Sequence, residues 1–184
     1  MTMDKSAQQE LLDTAWASIH FGLHQHKSLP VTSAKAGALN QSGASFITLQ
    51  KHHQLRGCMG SLEAYRSLLE DVADNAYSAA FRDPRFAPLT AAELDQLDLQ
   101  ISVLSKPVPM QFVDEVDLLN QLQPGLDGIV FESGEHRSTF LPQVWEQLTT
   151  PRQFMAQLKQ KAGLSADYWA PQVRIKRYHV EKFR

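Results

Sequence analysis

Leu55-Arg56-Gly57-Cys58-Met59-Gly60 places the only cysteine of the chain between two glycines, after the apolar run Ala44-Ser45-Phe46-Ile47-Thr48-Leu49 and a short polar segment. Two β-prone runs joined by a short turn read as a hairpin, and glycines inside the second strand let another backbone or a ligand approach closely. With His52-His53 as a two-residue turn, residue 47 lies opposite 58 and residue 49 opposite 56, so Cys58 shares a face with Ile47. The period of two puts Arg56 on that face as well, where a guanidinium stabilises a thiolate. Two readings of Cys58 stand. Free cysteine commonly packs as a small hydrophobe, which makes it structural; a partly open thiol beside a cation is a nucleophile or ligand.

Outward from the hairpin, helix and turn signals are frequent. Leu12, Ala15, Trp16, Ile19 and Leu23 recur at helical spacing within residues 5 to 25. Ser67-Leu68-Leu69-Glu70 is a capping box opening a helix with Leu69, Val72, Ala73, Ala76 and Ala80 on its inner side. Pro84 in Arg82-Asp83-Pro84-Arg85-Phe86 marks that helix's end, and Thr90 to Glu93 caps a short second one. Leu99, Ile101 and Val103 alternate with polar residues as a strand, followed by a short helix around Glu115 to Leu122. A second hairpin joins 129–132 to 137–141 around Ser133-Gly134. Thr150-Pro151 begins a helix through Lys161 that Gly163 stops. The last strand, from about Gln172 to Val180, carries Arg174, Lys176 and Arg177 and reads as a solvated edge strand protected by charge. Strands and helices do not alternate as regular βα units. The expected fold is therefore α+β, a mixed, largely antiparallel sheet with flanking helices.

Leu55–Gly60 also carries a resemblance, together with Ser78–Phe86 (SAAFRDPRF), Ile101–Ser105, Gly125–Val130 (GLDGIV), Thr139–Trp145 (TFLPQVW) and Lys161–Gly163. In this order the segments resemble the AMMECR-domain family, whose bacterial and archaeal members are called the A component of the AmmeMemoRadiSam system. Met59 stands where the family commonly has isoleucine, and Ser138 where glycine often precedes TFLP. His52-His53 replaces a turn that is often Asn-Gly in the family, and a type I′ turn requires positive φ at both positions. The resemblance implies one AMMECR-like domain over residues 1–184, with a larger and a smaller subdomain and a cleft between them near the hexapeptide. It implies association with a Memo-type protein and a radical S-adenosylmethionine enzyme. The family's biochemical activity is not established, so the resemblance speaks to fold more than to chemistry.

Candidate chemistry gathers around Cys58 as nucleophile, with Arg56 tuning it and Glu63 as a general base. Gly57 and Gly60 leave room for a substrate. Arg82, Asp83 and Arg85 form a guanidinium–carboxylate–guanidinium cluster able to grip a phosphate or carboxylate, or else an ion-paired turn that pins a loop. Phe140 and Pro142, with Leu141 and Trp145, wall an apolar pocket or belong to the core. His52, His53 and His136 read as turn residues facing solvent, and Asp127 as an Asx turn before Gly128.

At 184 residues with 43 % hydrophobic and 21 % charged side chains, the composition is that of an ordinary globular domain. A net charge of −2 gives no bulk case for nucleic acid or an anionic membrane. One cysteine cannot form an intramolecular disulfide or ligate an iron–sulfur cluster alone. No Walker loop, GxGxxG, HExxH or paired Cys/His spacing occurs, so neither metal nor other cofactor is expected. The start MTMDKSAQQELL lacks signal-peptide character, which points to the cytoplasm; self-association is left open. Two functions are carried forward. One is an enzyme or enzyme component of a modification pathway acting on a small or anionic substrate; the other is a non-catalytic binding or adaptor module for protein or nucleic acid.

Overall fold

The computed structural model describes residues 3–184. The chain divides into two compact units, one running as far as Leu104 and including Glu181–Arg184, the other spanning Ser105–Val180.

In the first unit, α2 (Leu68–Phe81) packs on β1 (Ser42–Lys51) and β2 (Gln54–Gly60) of a sheet completed by β4 (Leu97–Leu104) and β9 (Val180–Phe183), in the order β2-β1-β4-β9, and α1 (Lys5–Gln25) packs against α2. A short β3 (Arg66–Ser67) pairs with the start of β1. β1 is antiparallel to β2, β3 and β4. Alternation buries Ile47 and Leu49 of β1 with Leu99 and Ile101 of β4, and this face joins Leu11, Ala15 and Ile19 of α1 and Val72, Ala76 and Ala80 of α2 in one core. The predicted capping box is present: the Ser67 hydroxyl accepts from the Glu70 amide at 3.3 Å, and the Glu70 carboxylate accepts from the Ser67 amide at 3.1 Å. The two helices approach closely because Gly22 leaves space for the rings of Tyr77 and Phe81, which any Cβ there would strike.

His52 and His53 both adopt positive φ, 52° and 62°, as a type I′ hairpin demands. The register beyond that turn departs from the simple count. Lys51 pairs with Gln54 and Gln50 with Leu55, but Leu49 then pairs with Gly57 and Thr48 with Cys58. Arg56 is thus one residue extra in β2, a β-bulge, and a one-residue slip moves every following side chain to the other face. Cys58 accordingly lies opposite Thr48, not Ile47, and it is Met59 that pairs with Ile47 and reaches the core.

The second unit has the sheet order β5-β8-β6-β7, built from β5 (Val108–Pro109), β6 (Gly128–Ser133), β7 (His136–Phe140) and β8 (Arg174–Tyr178). Helices α3 (Glu115–Gln121) and α4 (Pro151–Lys161) contribute Leu118, Phe154, Met155 and Leu158 to a separate core with Ile129, Phe131, Trp145 and Ile175. Thr150 caps α4 and Pro151 opens it, as the sequence predicts. The basic C-terminal stretch differs from the single edge strand expected of it. It is broken at His179 into two strands, and β8 is an interior strand between β5 and β6, not a solvated edge. Its charges are accommodated by partners: Lys176 reaches Glu132 at 3.0 Å and Arg177 donates to the Gln121 carbonyl at 2.7 Å.

Candidate functional site

β2 carries the hexapeptide along an edge of its sheet. Gly57 faces α2, and a Cβ on it would collide with the backbone carbonyl oxygen of Ala79; a Cβ on Gly60 would collide with the Phe46 ring. Helix backbone and an aromatic ring therefore fill the space that these glycines create. Their requirement is proximity, since neither has positive φ.

An edge strand leaves alternate amides and carbonyls without a ladder partner. At Cys58 they are satisfied by the loop after α2. The Cys58 amide donates to Asp83 Oδ2 at 2.9 Å, and Arg85 Nη2 donates to the Cys58 carbonyl at 3.3 Å. Arg85 closes on Asp83 through Nε at 2.9 Å and Nη2 at 2.6 Å, and its backbone amide adds a bond at 3.1 Å. An acceptor and a donor locked to one another thus do for one residue of β2 what a neighbouring strand would do. Asp83 is buried, at 4 % exposure, and its carboxyl is held well below the usual carboxylate range, chiefly by Arg85 and also by the Cys58 amide, against the opposing effect of burial. Arg85 is raised in turn by Asp83 and, to a smaller degree, by Cys58.

Cys58 itself is half-buried, with Sγ 3.5 Å from Thr48 Oγ1. Arg56, expected beside the thiol, is committed elsewhere by the bulge. Its Nε and Nη2 grip Glu93 at 2.9 and 3.1 Å, and Nη2 also donates to the Ala87 carbonyl at 3.0 Å. The Phe86 ring lies within 5.9 Å of the Arg56 guanidinium and 5.5 Å of that of Arg85. The hexapeptide and the Arg82–Phe86 loop are therefore brought together, by Asp83, Arg85 and Phe86. Arg82 turns away, its guanidinium over the Tyr77 ring at 4.9 Å. Glu63 lies in the exposed bend between β2 and β3.

Glu93 has a role that sequence reasoning missed. Its capping box with Thr90 was legible, but its pairing with Arg56, 37 residues away, was not. Arg56 lowers the Glu93 carboxyl to about 2 from 4.5, aided by the Thr90 amide and hydroxyl and opposed by burial. A depressed carboxylate stabilises the fold above its unfolded value and ceases to do so as pH falls through its folded one. Glu93→Gln is expected to cost about 1–3 kcal/mol at neutral pH. In urea titrations that difference from the wild type should be constant above about pH 5 and close between about 4.5 and 2.

Phe140 and Pro142 belong to the second unit. Phe140 packs edge-on to Phe154 at 5.3 Å under the ammonium of Lys161, and Trp145 stacks on Phe154 at 3.9 Å. Pro142 opens the 3₁₀ turn Pro142–Glu146. These aromatics are core or line it. Asp127 is more than a turn residue: it is fully buried and bonds the Gln123 amide at 2.8 Å and His179 Nε2 at 3.2 Å. Arg177 Nε lies 3.2 Å from its Oδ2, but the N–H is not aimed at the oxygen and lacks a hydrogen-bond acceptor among the described residues. His52 and His53 are exposed at the hairpin tip, and the exposed His136 bonds the Ala162 carbonyl at 2.9 Å. Among the described residues no three His, Cys, Asp or Glu side chains converge as metal ligands, and no helix is long and apolar enough to cross a membrane.

These features define an α+β protein of two compact units whose glycine-flanked cysteine sits on an edge strand capped by an Asp–Arg pair. The AMMECR1 family profile matches residues 12–183, and the chain belongs to that family. A protein of Methanothermobacter thermautotrophicus is 31 % identical over 98 % of this chain and 95 % of its own length. One from Saccharolobus islandicus is 40 % identical over 79 % of this chain and 67 % of its own. The crystal structure of an uncharacterised protein of Pyrococcus horikoshii superposes with a TM-score of 0.75 at 27 % identity, covering 94 % of this chain and 88 % of that one.

Proposed function

We propose that this AMMECR1-family protein is a cytoplasmic binding module whose Cys58 surface docks a protein partner, and that Cys58 is part of that surface's framework and not a nucleophile. The observation that carries this reading is the commitment of every charged side chain beside Cys58. Asp83 and Arg85 bond each other and the Cys58 backbone, and Arg56 bonds Glu93. Among the described residues no hydrogen bond joins the thiol to a base, and its hydrogen-bonding neighbour is the Thr48 hydroxyl. Nucleophilic catalysis asks for a base or a free cation at the sulfur. Leu55 near the start of β2, and Leu62 and Tyr65 in the segment that follows it, are exposed at 42, 45 and 69 %, apolar side chains of the kind a docked protein covers.

The resemblance implies association with a Memo-type protein and a radical S-adenosylmethionine enzyme, which makes these the first partners to try. Purified Memo-type protein should bind the wild type in calorimetric titration and bind Tyr65→Asp at least ~10-fold more weakly, with Cys58→Ser unchanged. Conversion of a metabolite by the protein alone, lost in Cys58→Ser, would overturn the reading in favour of an enzyme.

A further inference from the structure

The second unit has two adjoining cavities, of about 500 and 450 Å³, that share Glu132 and Arg174. Both volumes fall in the range of small-molecule sites. The first is walled on one side by aromatic rings: Phe112 and Trp169 lie 5.7 Å apart between centroids, inclined at 58°, with Met110 beside them. The second is polar, and includes Glu135, His136 and Arg137.

Charge is unequally distributed where they meet. In the β6–β8 ladder Glu132 stands directly opposite Arg174, which would ordinarily pair them. The Glu132 carboxylate is instead taken by Lys176 at 3.0 Å and Arg137 at 3.3 Å. Among the described residues the Arg174 guanidinium has neither an ion-pair nor a hydrogen-bond partner, although it lines both cavities. Lys176, Arg137 and Arg174 thus stand around the Glu132 carboxylate, with Glu135 also on the wall of the second cavity, beside the angled rings of Phe112 and Trp169. An unpaired guanidinium offers a planar fork for a carboxylate or phosphate, and aromatic faces receive a flat apolar body.

We propose that these cavities form a binding site for a small organic anion with a planar aromatic body, the ring seated against Phe112 and Trp169 and the anionic group on Arg174. Its residues all belong to the second unit, and Cys58 to the first. Its ligand supplies the carboxylate or phosphate that Arg174 lacks.

The test uses the whole protein and two probes of matched shape, 2-naphthoate and 2-naphthyl phosphate, with neutral 2-naphthamide as control. Binding is followed by the NMR signals of the Trp169 indole N–H and the Arg174 Nε–H. Saturable shifts of both signals are expected with one or both anions and not with the amide, and the tighter anion identifies the group that the site takes. Arg174→Gln should raise the Kd at least ~10-fold, while Arg152→Gln, an exposed position on α4, leaves it unchanged. Equal binding of amide and anions, an unchanged Kd in Arg174→Gln, or no saturable shift at millimolar probe would each overturn the proposal.

Discussion

Gly57→Ala is expected to lower stability by about 3 kcal/mol or more, although it adds one methyl group to a half-exposed strand. The new Cβ would meet the carbonyl oxygen of Ala79, a backbone atom in the last turns of α2. A flexible side chain can swing away from such a contact. A helix carbonyl cannot, because it moves only with the helix, and α2 is fixed against α1 and β1 by Val72, Ala76 and Ala80. For a chain of this size the loss corresponds to a melting temperature lower by roughly 6–12 °C. Calorimetry checks this directly. Gly37→Ala is the control: nothing lies near a Cβ at that position, and its melting temperature should change little.

Asp83→Ala carries the second large effect, about 2–4 kcal/mol. The substitution strips a buried acceptor from the Cys58 amide and both side-chain bonds from Arg85. Arg85 is half exposed and recovers water, which keeps the cost below that of a fully buried pair. Because the folded Asp83 carboxyl lies below its unfolded value of 3.8, its contribution is complete above that pH and declines as the solution is acidified further. Wild type and Asp83→Ala should therefore differ most at neutral pH and converge in strong acid. Acid-unfolding curves of the two proteins measure the convergence.

Local features were legible in the sequence because their signals are local. Ser67 with Glu70, Thr150 with Pro151, and the periodicity of residues 5 to 25 each specify an element from residues within a turn or two of one another. The α+β class followed from the irregular succession of those elements. What escaped depends on a single inserted residue or on distant partners. A bulge at Arg56 leaves the alternation of Leu55 to Gly60 plausible in either register, so the count from the His52-His53 turn put Cys58 on the wrong face. Composition marked the last strand as basic, yet it could not show that His179 divides it between two sheets or that Glu132 and Gln121 receive its cations. The Arg82–Phe86 cluster was visible as chemistry. Its use to cap an edge strand 25 residues earlier is a property of the fold alone.

Asp83 and Arg85 stand in for a neighbouring strand at Cys58, accepting from its amide and donating to its carbonyl. Native-state hydrogen exchange of the Cys58 amide, read by NMR in the wild type and in Asp83→Ala, tests this most directly. The account predicts an amide protected like its neighbours in β1 and β4 in the wild type. In Asp83→Ala its exchange should accelerate by more than ~10-fold while the amides of those two strands keep their order of protection. A Cys58 amide that exchanges freely in the wild type, or one whose protection survives the loss of Asp83, would contradict it.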